Sequence, residues 1–134
     1  LIKVNIAGDV ISDPAGVHGR RAEAGVHPAW GIHGAIHGHR ADANCIVHTH
    51  TTDGITFTGL GLRELLPINQ EAMGFNNTLS YHKYSTTPYM DGVVPELAVS
   101  LGPANRALIM EAHGLLTVGS TAAEAVILMA FLNE

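Results

Sequence analysis

The short run Cys45–His50 constrains the fold of this chain more than any other stretch. Three apolar residues predict a buried strand, and the strand ends in His-Thr-His. Side chains on a strand alternate between faces, so His48 and His50 point the same way and can reach one metal ion. A second apolar run ends in His113, directly before Gly114. Because zinc sites usually need a third protein ligand, we predict that His48, His50 and His113 bind one metal ion.

The alternative for each of these histidines is an ordinary hydrogen-bonding role, which is common at a strand end. His33 and His37 share one face of a predicted helix at a spacing that also suits metal binding. For that pair, hydrogen bonds to the backbone are the favoured interpretation. Nine histidines against seven lysines and arginines are the one compositional hint of metal chemistry.

Hydrophobic periodicity and turn residues predict interspersed short strands and helices. The predicted strands are Leu1–Ile6, Val10–Ile11, Asp42–His50, Leu65–Ile68, Ser80–Tyr84, Arg106–Met110 and Leu115–Val118. The predicted helices are His27–Arg40, Thr51–Thr58, Gln70–Met73, Val94–Leu101 and Thr121–Leu132, with Thr51 or Thr52 and Ser120 or Thr121 as N-caps and a long loop at residues 12–25. Several connections are too short for parallel crossovers, which predicts a mostly antiparallel sheet with helices on its faces.

Composition narrows the classes of function that this chain can serve. A length of 134 residues predicts one domain, and no apolar run approaches the roughly 20 residues of a membrane span. A net charge of −5, with Arg20-Arg21 as the largest basic cluster, argues against nucleic acid as a partner. A single cysteine and the lack of a visible signal peptide predict a cytoplasmic protein. The last predicted helix is apolar nearly all round, so we expect a homo-oligomer.

Several motifs taken together resemble the class II aldolase/adducin family, in its adducin-like bacterial-type branch. The resemblance rests on the histidines, Arg40, Asp42 and apolar residues of the stretch 33–50, on Leu65–Ile68, on Tyr81-His82-x-Tyr84 and on the stretch 108–119 around His113-Gly114. It implies an α/β fold, a three-layer α/β/α sandwich, formed by residues 1–134 as a single domain. The family domain normally starts earlier, with a glycine-rich phosphate-binding turn, so we expect part of the N-terminal segment to be missing.

The resemblance also implies a site and its cofactor. Family aldolases bind a divalent metal through three histidines that match His48, His50 and His113, so we expect zinc, or another divalent metal such as iron or manganese. A family tyrosine used for protonation matches Tyr84, with Tyr81 as the alternative. The family's acid/base glutamate falls at Ala29, which cannot transfer a proton. Glu111, two residues before His113, is the candidate replacement, with a solvated or ion-paired role as its alternative.

Three functions follow from these expectations. The first is a zinc-dependent lyase that performs aldol-type carbon–carbon cleavage on a small hydroxy-carbonyl compound. The second is a metal-dependent oxygenase or decarboxylase on the same fold, since three histidines with open positions permit either. The third is a non-catalytic, adducin-like interaction scaffold. By resemblance to the family aldolases, we expect the homo-oligomer to be a tetramer.

Overall fold

A computed structural model of the chain describes residues 1–16, 28–62, 64–84 and 94–134. The elements, in chain order, are β1 Lys3–Val4, β2 Val10–Ser12, α1 Pro28–His37, β3 Cys45–Thr49, α2 Thr52–Gly59, α3 Gln70–Met73, β4 Leu79–His82, α4 Val94–Leu101, β5 Ala107–Met110, β6 Gly114–Gly119 and α5 Ala122–Leu132. Most of the predicted loop at residues 12–25, with Arg20-Arg21, and the predicted helix start at His27 lie outside the described residues. Within those residues, no helix is long and apolar enough to cross a bilayer.

The four-stranded sheet has the strand order β3-β6-β5-β4, and a separate hairpin pairs β1 with β2. β6 runs antiparallel to both β3 and β5, but β4 and β5 run parallel. The prediction of a mostly antiparallel sheet is therefore wrong, and the sheet is mixed. The reason is that α4 lies between β4 and β5 in the chain and returns it for a parallel pairing.

Two apolar clusters cover the two faces of the sheet and confirm the three-layer sandwich. On one face, side chains of α1 and α4 pack on alternate residues of the strands; this cluster consists of Ile32, Ala35, Ile36, Ala43, Ile46, Leu97, Leu101, Leu108, Met110, Leu116 and Val118. On the other face, α2 and α5 pack on Val47, Leu79, Tyr81, Ile109 and Leu115 through Phe57, Met129 and Leu132. Neighbouring residues such as Ile46 and Val47 thus serve opposite faces, as the strand period requires.

The prediction of a strand at Leu65–Ile68 is also wrong, because this segment pairs with no strand in the part of the chain that the structure describes. Pro67 lacks an N–H, and the Ile68 N–H donates to the Leu66 carbonyl at 2.8 Å, which closes a tight turn around the proline. Ile68 is 83% exposed. Apolar composition alone suggested a strand, and the turn geometry prevents it.

Threonines cap the two helices that cover the second face. The Thr51 hydroxyl accepts from the Gly54 N–H and caps α2, and the Thr121 hydroxyl accepts from the Glu124 N–H and caps α5. Ser120 is not the cap. Its N–H and hydroxyl instead donate to the Glu124 carboxylate at 2.7 and 2.6 Å.

Arg40 ties the end of α1 to the end of α4. Its guanidinium donates to both carboxylate oxygens of Asp42 at 2.7 Å and to the carbonyls of Gly102 and Asn105 at 2.7 and 3.2 Å. The Arg40 side chain is 6% exposed, whereas that of Asp42 is 56% exposed. Hydrogen bonds from Arg40 lower the pKa of Asp42 to about 2. This arginine therefore fixes the helix that carries His33 and His37.

We expect Arg40→Met to lower the free energy of unfolding by about 2–4 kcal/mol, because the part-buried carbonyls of Gly102 and Asn105 lose a charged donor. Arg106→Met is the matched control, since Arg106 pairs with Glu124 at 2.9 Å with both side chains about a third exposed. That exposed pair should contribute at most about 1 kcal/mol. Urea denaturation of both variants measures the difference, and equal losses would contradict the structural role given to Arg40.

Candidate metal centre

Three imidazoles converge at one end of the sheet. His48 lies in β3, His50 follows the end of that strand, and His113 lies in the turn between β5 and β6. Their ring centroids are 4.7, 4.9 and 4.8 Å apart in the three pairs. One ring nitrogen from each residue lies within 4.8 Å of the other two. The structure therefore brings together all three residues that the sequence nominated as metal ligands.

The turn that presents His113 is tight and braced. Ala112 has a φ of 51°, in the left-handed region that residues with a Cβ rarely adopt. The Ala112 N–H donates to the Thr58 carbonyl of α2 at 3.0 Å, and the His113 N–H donates to the Met110 carbonyl at 3.1 Å. These two hydrogen bonds fix the turn against α2 and the end of β5, so backbone contacts set the position of His113.

Gly114 permits the close approach of β6 to the two histidines of β3. A Cβ at this residue would lie 2.4 Å from the Thr49 carbonyl oxygen and 2.9 Å from Cδ2 of His50. It would also lie 3.4 Å from Cε1 of His48. Backbone oxygen cannot move aside without breaking the β3–β6 ladder, so this position excludes every residue but glycine.

A backbone hydrogen bond orients the ring of His48. Its Nδ1 lies 2.9 Å from the Leu115 carbonyl oxygen, and because a carbonyl only accepts, Nδ1 carries the proton. In the neutral ring, Nε2 then carries a free electron pair. This Nε2 lies 2.9 Å from Nε2 of His50. Two arrangements suit this pair of nitrogens. Nε2 of His50 donates a hydrogen bond to Nε2 of His48, or both nitrogens direct their electron pairs at a shared cation.

Burial keeps the rings of His48 and His113 neutral. Burial is the main cause that lowers the pKa of His48, and the nearby His50 lowers it further, while the bond to Leu115 acts in the opposite direction. Burial also lowers the pKa of His113 to about 4, assisted by the charges of His48, His50 and His82. Metal ligation needs the neutral imidazole, so His48 and His113 are in their binding form near neutral pH.

The donor set fits a divalent cation of the zinc type. Three neutral imidazoles and an open fourth position form a common ligand set for a zinc site that handles substrate. Ligands of a tetrahedral zinc lie about 3.3 Å from one another, since each bond is about 2.0–2.1 Å. The nitrogen separations here, from 2.9 Å up to 4.8 Å, bracket that spacing.

The sequence analysis missed one residue near this site. His82 lies at the end of β4, and its charge acts on His113. Its Nδ1 lies 2.9 Å from the Ser100 hydroxyl of α4. The sequence shows that Ser80 and His82 lie on one face of a predicted strand. It contains no spacing that would place the end of β4 near the β5–β6 turn, so it could not nominate His82.

Tyr84 and Glu111, the two predicted catalytic residues, contact each other. The Tyr84 N–H donates to Glu111 Oε2 at 3.2 Å, and Tyr84 is 54% exposed. The alternative tyrosine, Tyr81, packs in the cluster beneath α5, where burial raises its pKa. The catalytic roles of Tyr84 and Glu111 stay predictions, and the contact shows that Glu111 anchors the backbone at the end of β4.

An open cleft lies along α1. It has a volume of about 320 Å³ and is lined by Ile2, Val4, Ala29, Trp30, His33 and His37. The Trp30 indole lies over Gly34, where a Cβ would come within 2.7 Å of the ring. Ile32 and Ile36 of α1 pack with Ile46 of β3, and His48, two residues further along β3, shares the face of Ile46. The cleft along α1 therefore lies on the face of the sheet that bears His48. The cleft is large enough for a small organic molecule.

The helix on the far side of the sheet supports the same loop from behind. The Thr49 hydroxyl donates to the Met129 sulfur at 3.2 Å, and the Thr51 hydroxyl donates to the Asn133 side chain. Both threonines flank His50. The last turn of α5 therefore restrains the segment that carries two of the three histidines.

Comparison with known proteins agrees with this geometry. The model of the Class II Aldolase and Adducin N-terminal domain family matches residues 1–134. Rat alpha-adducin (Rattus norvegicus) is 34% identical over 126 residues, which are 93% of this chain and 16% of adducin. The chain thus matches only a small part of that relative.

Solved structures show the same fold. An aldolase II superfamily protein from Pseudomonas syringae superposes with a TM-score of 0.82 at 32% identity, covering 98% of this chain and 50% of the other. L-fuculose 1-phosphate aldolase from Glaciozyma antarctica superposes with a TM-score of 0.77 at 30% identity, covering 98% and 47%. The chain spans about half the length of both proteins.

We expect Gly114→Ala to weaken metal binding at least tenfold, because the new Cβ would push His50 and the Thr49 carbonyl away from their present positions. Gly59→Ala is the matched control, since a Cβ at Gly59 would meet nothing within 4 Å. Isothermal titration with zinc measures both affinities. Wild-type affinity in Gly114→Ala would show that the close approach of β6 is not needed.

The pH dependence of stability follows from His113. Its pKa falls from 6.5 to about 4 on folding, so the unfolded chain binds the proton more tightly. For the metal-free protein, this contribution is present above pH 6.5 and is lost as the pH falls from 6.5 towards 4. We expect His113→Gln to flatten that part of the curve, which urea denaturation at a series of pH values measures. An unchanged slope would contradict the neutral state assigned to this ring.

Proposed function

The chain belongs to the Class II Aldolase and Adducin N-terminal domain family, and from this premise we propose that it is a metal-dependent lyase. Its reaction is aldol-type cleavage of a carbon–carbon bond in a small hydroxy-carbonyl compound. The observation that carries the proposal is the convergence of His48, His50 and His113, whose ligand nitrogens lie within 4.8 Å of one another. An open cleft along α1, on the face of the sheet that bears His48, offers space for a substrate. The fold shared with L-fuculose 1-phosphate aldolase supports the same reaction class.

Each residue of the site has a defined task in this proposal. His48, His50 and His113 hold zinc, or another divalent metal such as iron or manganese, through neutral ring nitrogens. When bound, such a cation acts as a Lewis acid that polarises a substrate carbonyl. The Leu115 carbonyl fixes the tautomer of His48, so that Nε2 faces the other two rings. The adjacent cleft takes the rest of the substrate.

The proton transfers need groups other than the cation. Ala29 offers no acid, although it lines the cleft at the family's glutamate position. Tyr84 and Glu111 are the groups proposed from the sequence for this task, and their mutual contact gives them one location at the end of β4. A positioned acid or base is typically worth about 10²–10⁴ in rate, so we expect only weak cleavage of sugar phosphates.

Assembly and location complete the proposal. Val126, Ile127 and Phe131 of α5 are between 46% and 56% exposed, which supports self-association of this domain, as a tetramer by analogy with family aldolases. Residues 1–134 act as one domain, and the protein works in the cytoplasm on a small molecule. Sedimentation at micromolar concentration tests the assembly.

A non-catalytic, adducin-like interaction role is the second candidate. Two observations favour it, namely the identity to alpha-adducin and the alanine at position 29. A pure scaffold has no need to hold a stoichiometric metal ion. Metal content therefore separates the two candidates before any substrate is known.

We expect the purified protein to hold one divalent metal ion per chain, measured by elemental analysis. His50→Ala should lose the metal and any cleavage activity together, because two imidazoles make a weak site. His39→Ala is the control, since His39 donates to the Ala35 carbonyl and lies outside the triad. A metal content near zero in wild-type protein loaded with zinc would refute the lyase proposal and favour the scaffold.

The same assay includes Ala29→Glu, which restores the family's carboxylate. The introduced side chain would lie one helical turn before His33 in the same cleft. If the scaffold is otherwise aldolase-like, cleavage of a sugar phosphate such as fuculose 1-phosphate should rise. Two results would show that Ala29 is not the limiting defect. One is cleavage of a sugar phosphate by the native protein at ordinary aldolase rates. The other is an Ala29→Glu variant that binds metal normally but shows no change in activity.

A further inference from the structure

We propose that His33, rather than the Tyr84 and Glu111 that the sequence predicts, is the proton-transfer residue of this chain and performs, one helical turn along α1, the task that Ala29 cannot. The inference deepens the proposed lyase function and depends on it. Three observations carry it: the imidazole has no hydrogen-bond partner within the described residues, it faces the open cleft, and it lies on the side of the triad.

The first observation is the contrast between His33 and the other histidines around it. His37 Nδ1 donates to the Ala43 carbonyl at 2.8 Å, and His39 Nδ1 donates to the Ala35 carbonyl at 2.8 Å. His82 Nδ1 lies 2.9 Å from the Ser100 hydroxyl. Within the described residues, the His33 ring makes only a ring contact with His37, at 6.1 Å between centroids. Histidines with structural roles have backbone or hydroxyl partners here, whereas in this part of the chain His33 has both nitrogens available.

The second observation is the position of His33 on α1. The helix buries Ile32 and Ile36, which are 2% and 0% exposed, against the sheet. His33 is half-buried at the border of that apolar stripe and lines the cleft together with Ala29 and Trp30. Ala29 and His33 are four residues apart, so they share one face of the helix. A ligand in this cleft meets His33 at the place where a carboxylate from position 29 would reach.

The third observation links the cleft to the triad. Ile32 and Ile36 of α1 pack with Ile46 of β3, and His48 shares the face of Ile46, so His33 and His48 belong to the same side of the sheet. Burial is the main cause that lowers the pKa of His33, and the charges of His37 and His48 lower it further. Lowering the pKa keeps the ring neutral near pH 7, with one nitrogen ready to accept a proton. A base at this border can reach the part of a substrate that projects from the triad into the cleft.

The proton inventory balances with a single imidazole. A neutral nitrogen of His33 accepts the proton of the substrate β-hydroxyl, and the oxygen keeps its electron pair to form the aldehyde carbonyl. The carbon–carbon bond breaks, and its pair forms the carbon–carbon double bond of an enolate as the carbonyl oxygen takes the negative charge. The His33 imidazolium then returns its proton to the enolate carbon, which gives the ketone and restores neutral His33.

Proton exchange tests this step without the natural substrate. Zinc-loaded protein is incubated in D2O with dihydroxyacetone or its phosphate, and loss of the carbon-bound protons is followed by NMR. We expect His33→Gln to slow this exchange about 10²–10⁴-fold while its zinc content and thermal midpoint stay at wild-type values. His33→Glu should recover part of the rate, because a carboxylate also accepts a proton. His39→Gln, at the end of α1, should exchange at the wild-type rate.

A second measurement does not depend on catalysis. The His33 ring resonance is identified by its loss in His33→Gln, and we expect it to shift when dihydroxyacetone is added, whereas the His39 resonance should not. Exchange at the wild-type rate in a folded His33→Gln, or no shift of the His33 resonance, would overturn the inference and leave the lyase proposal intact. Failure of the lyase proposal itself would appear separately, as a wild-type protein without metal and without exchange.

Discussion

The close approach of β6 to the end of β3 is the contact on which the candidate site depends. Antiparallel pairing places Leu115 opposite Thr49, and the absence of a side chain at Gly114 lets the chain pass the Thr49 carbonyl. The next residue back, His113, then stands over His48 and His50. A single methyl group at position 114 would push β6 away from β3, two strands that are paired in the sheet although they lie far apart in sequence.

The same ladder also sets the chemistry of the rings. The Leu115 carbonyl, one residue beyond Gly114, accepts from His48 Nδ1 and so directs Nε2 towards the other imidazoles. Burial of His48 and His113 removes the protonated form at neutral pH by lowering the pKa of each ring. The hydrogen bond to the Leu115 backbone sets the tautomer of His48, and burial keeps His48 and His113 unprotonated. Both effects leave ring nitrogens with a free electron pair that can bind a cation.

By the resemblance to the family aldolases, the acid/base glutamate of that family falls at Ala29, which offers no titratable group. The position from which a glutamate would enter the cleft is Ala29, and the carboxylate of Glu111 accepts from the Tyr84 backbone. The charges of two further imidazoles, His33 and His82, are coupled to triad rings. Imidazole titrates near neutral pH, so a histidine-rich site has groups that exchange protons there without a buried carboxylate.

Local sequence determined much of this structure. Local patterns predicted the strand at Cys45–His50, the helix caps Thr51 and Thr121, and the apolar strands on either side of His113-Gly114. Each of these features depends only on residues close together in the chain. The family motifs lie in the same segments. The strand predicted at Leu65–Ile68 failed because Pro67 closes a turn there, and the antiparallel prediction failed because α4 returns the chain for a parallel pairing.

Only the tertiary structure decided which side chains meet. Spacing along the chain predicted that His48 and His50 share a face, but the place of His113 above them depends on the registers of two strand pairs. The contacts of His82 with Ser100 and of Glu111 with Tyr84 are likewise long-range outcomes. So is the absence of a hydrogen-bond partner for His33 among the described residues. Strand period and capping act over a few residues, whereas strand pairing joins distant segments through backbone hydrogen bonds that any sequence can make.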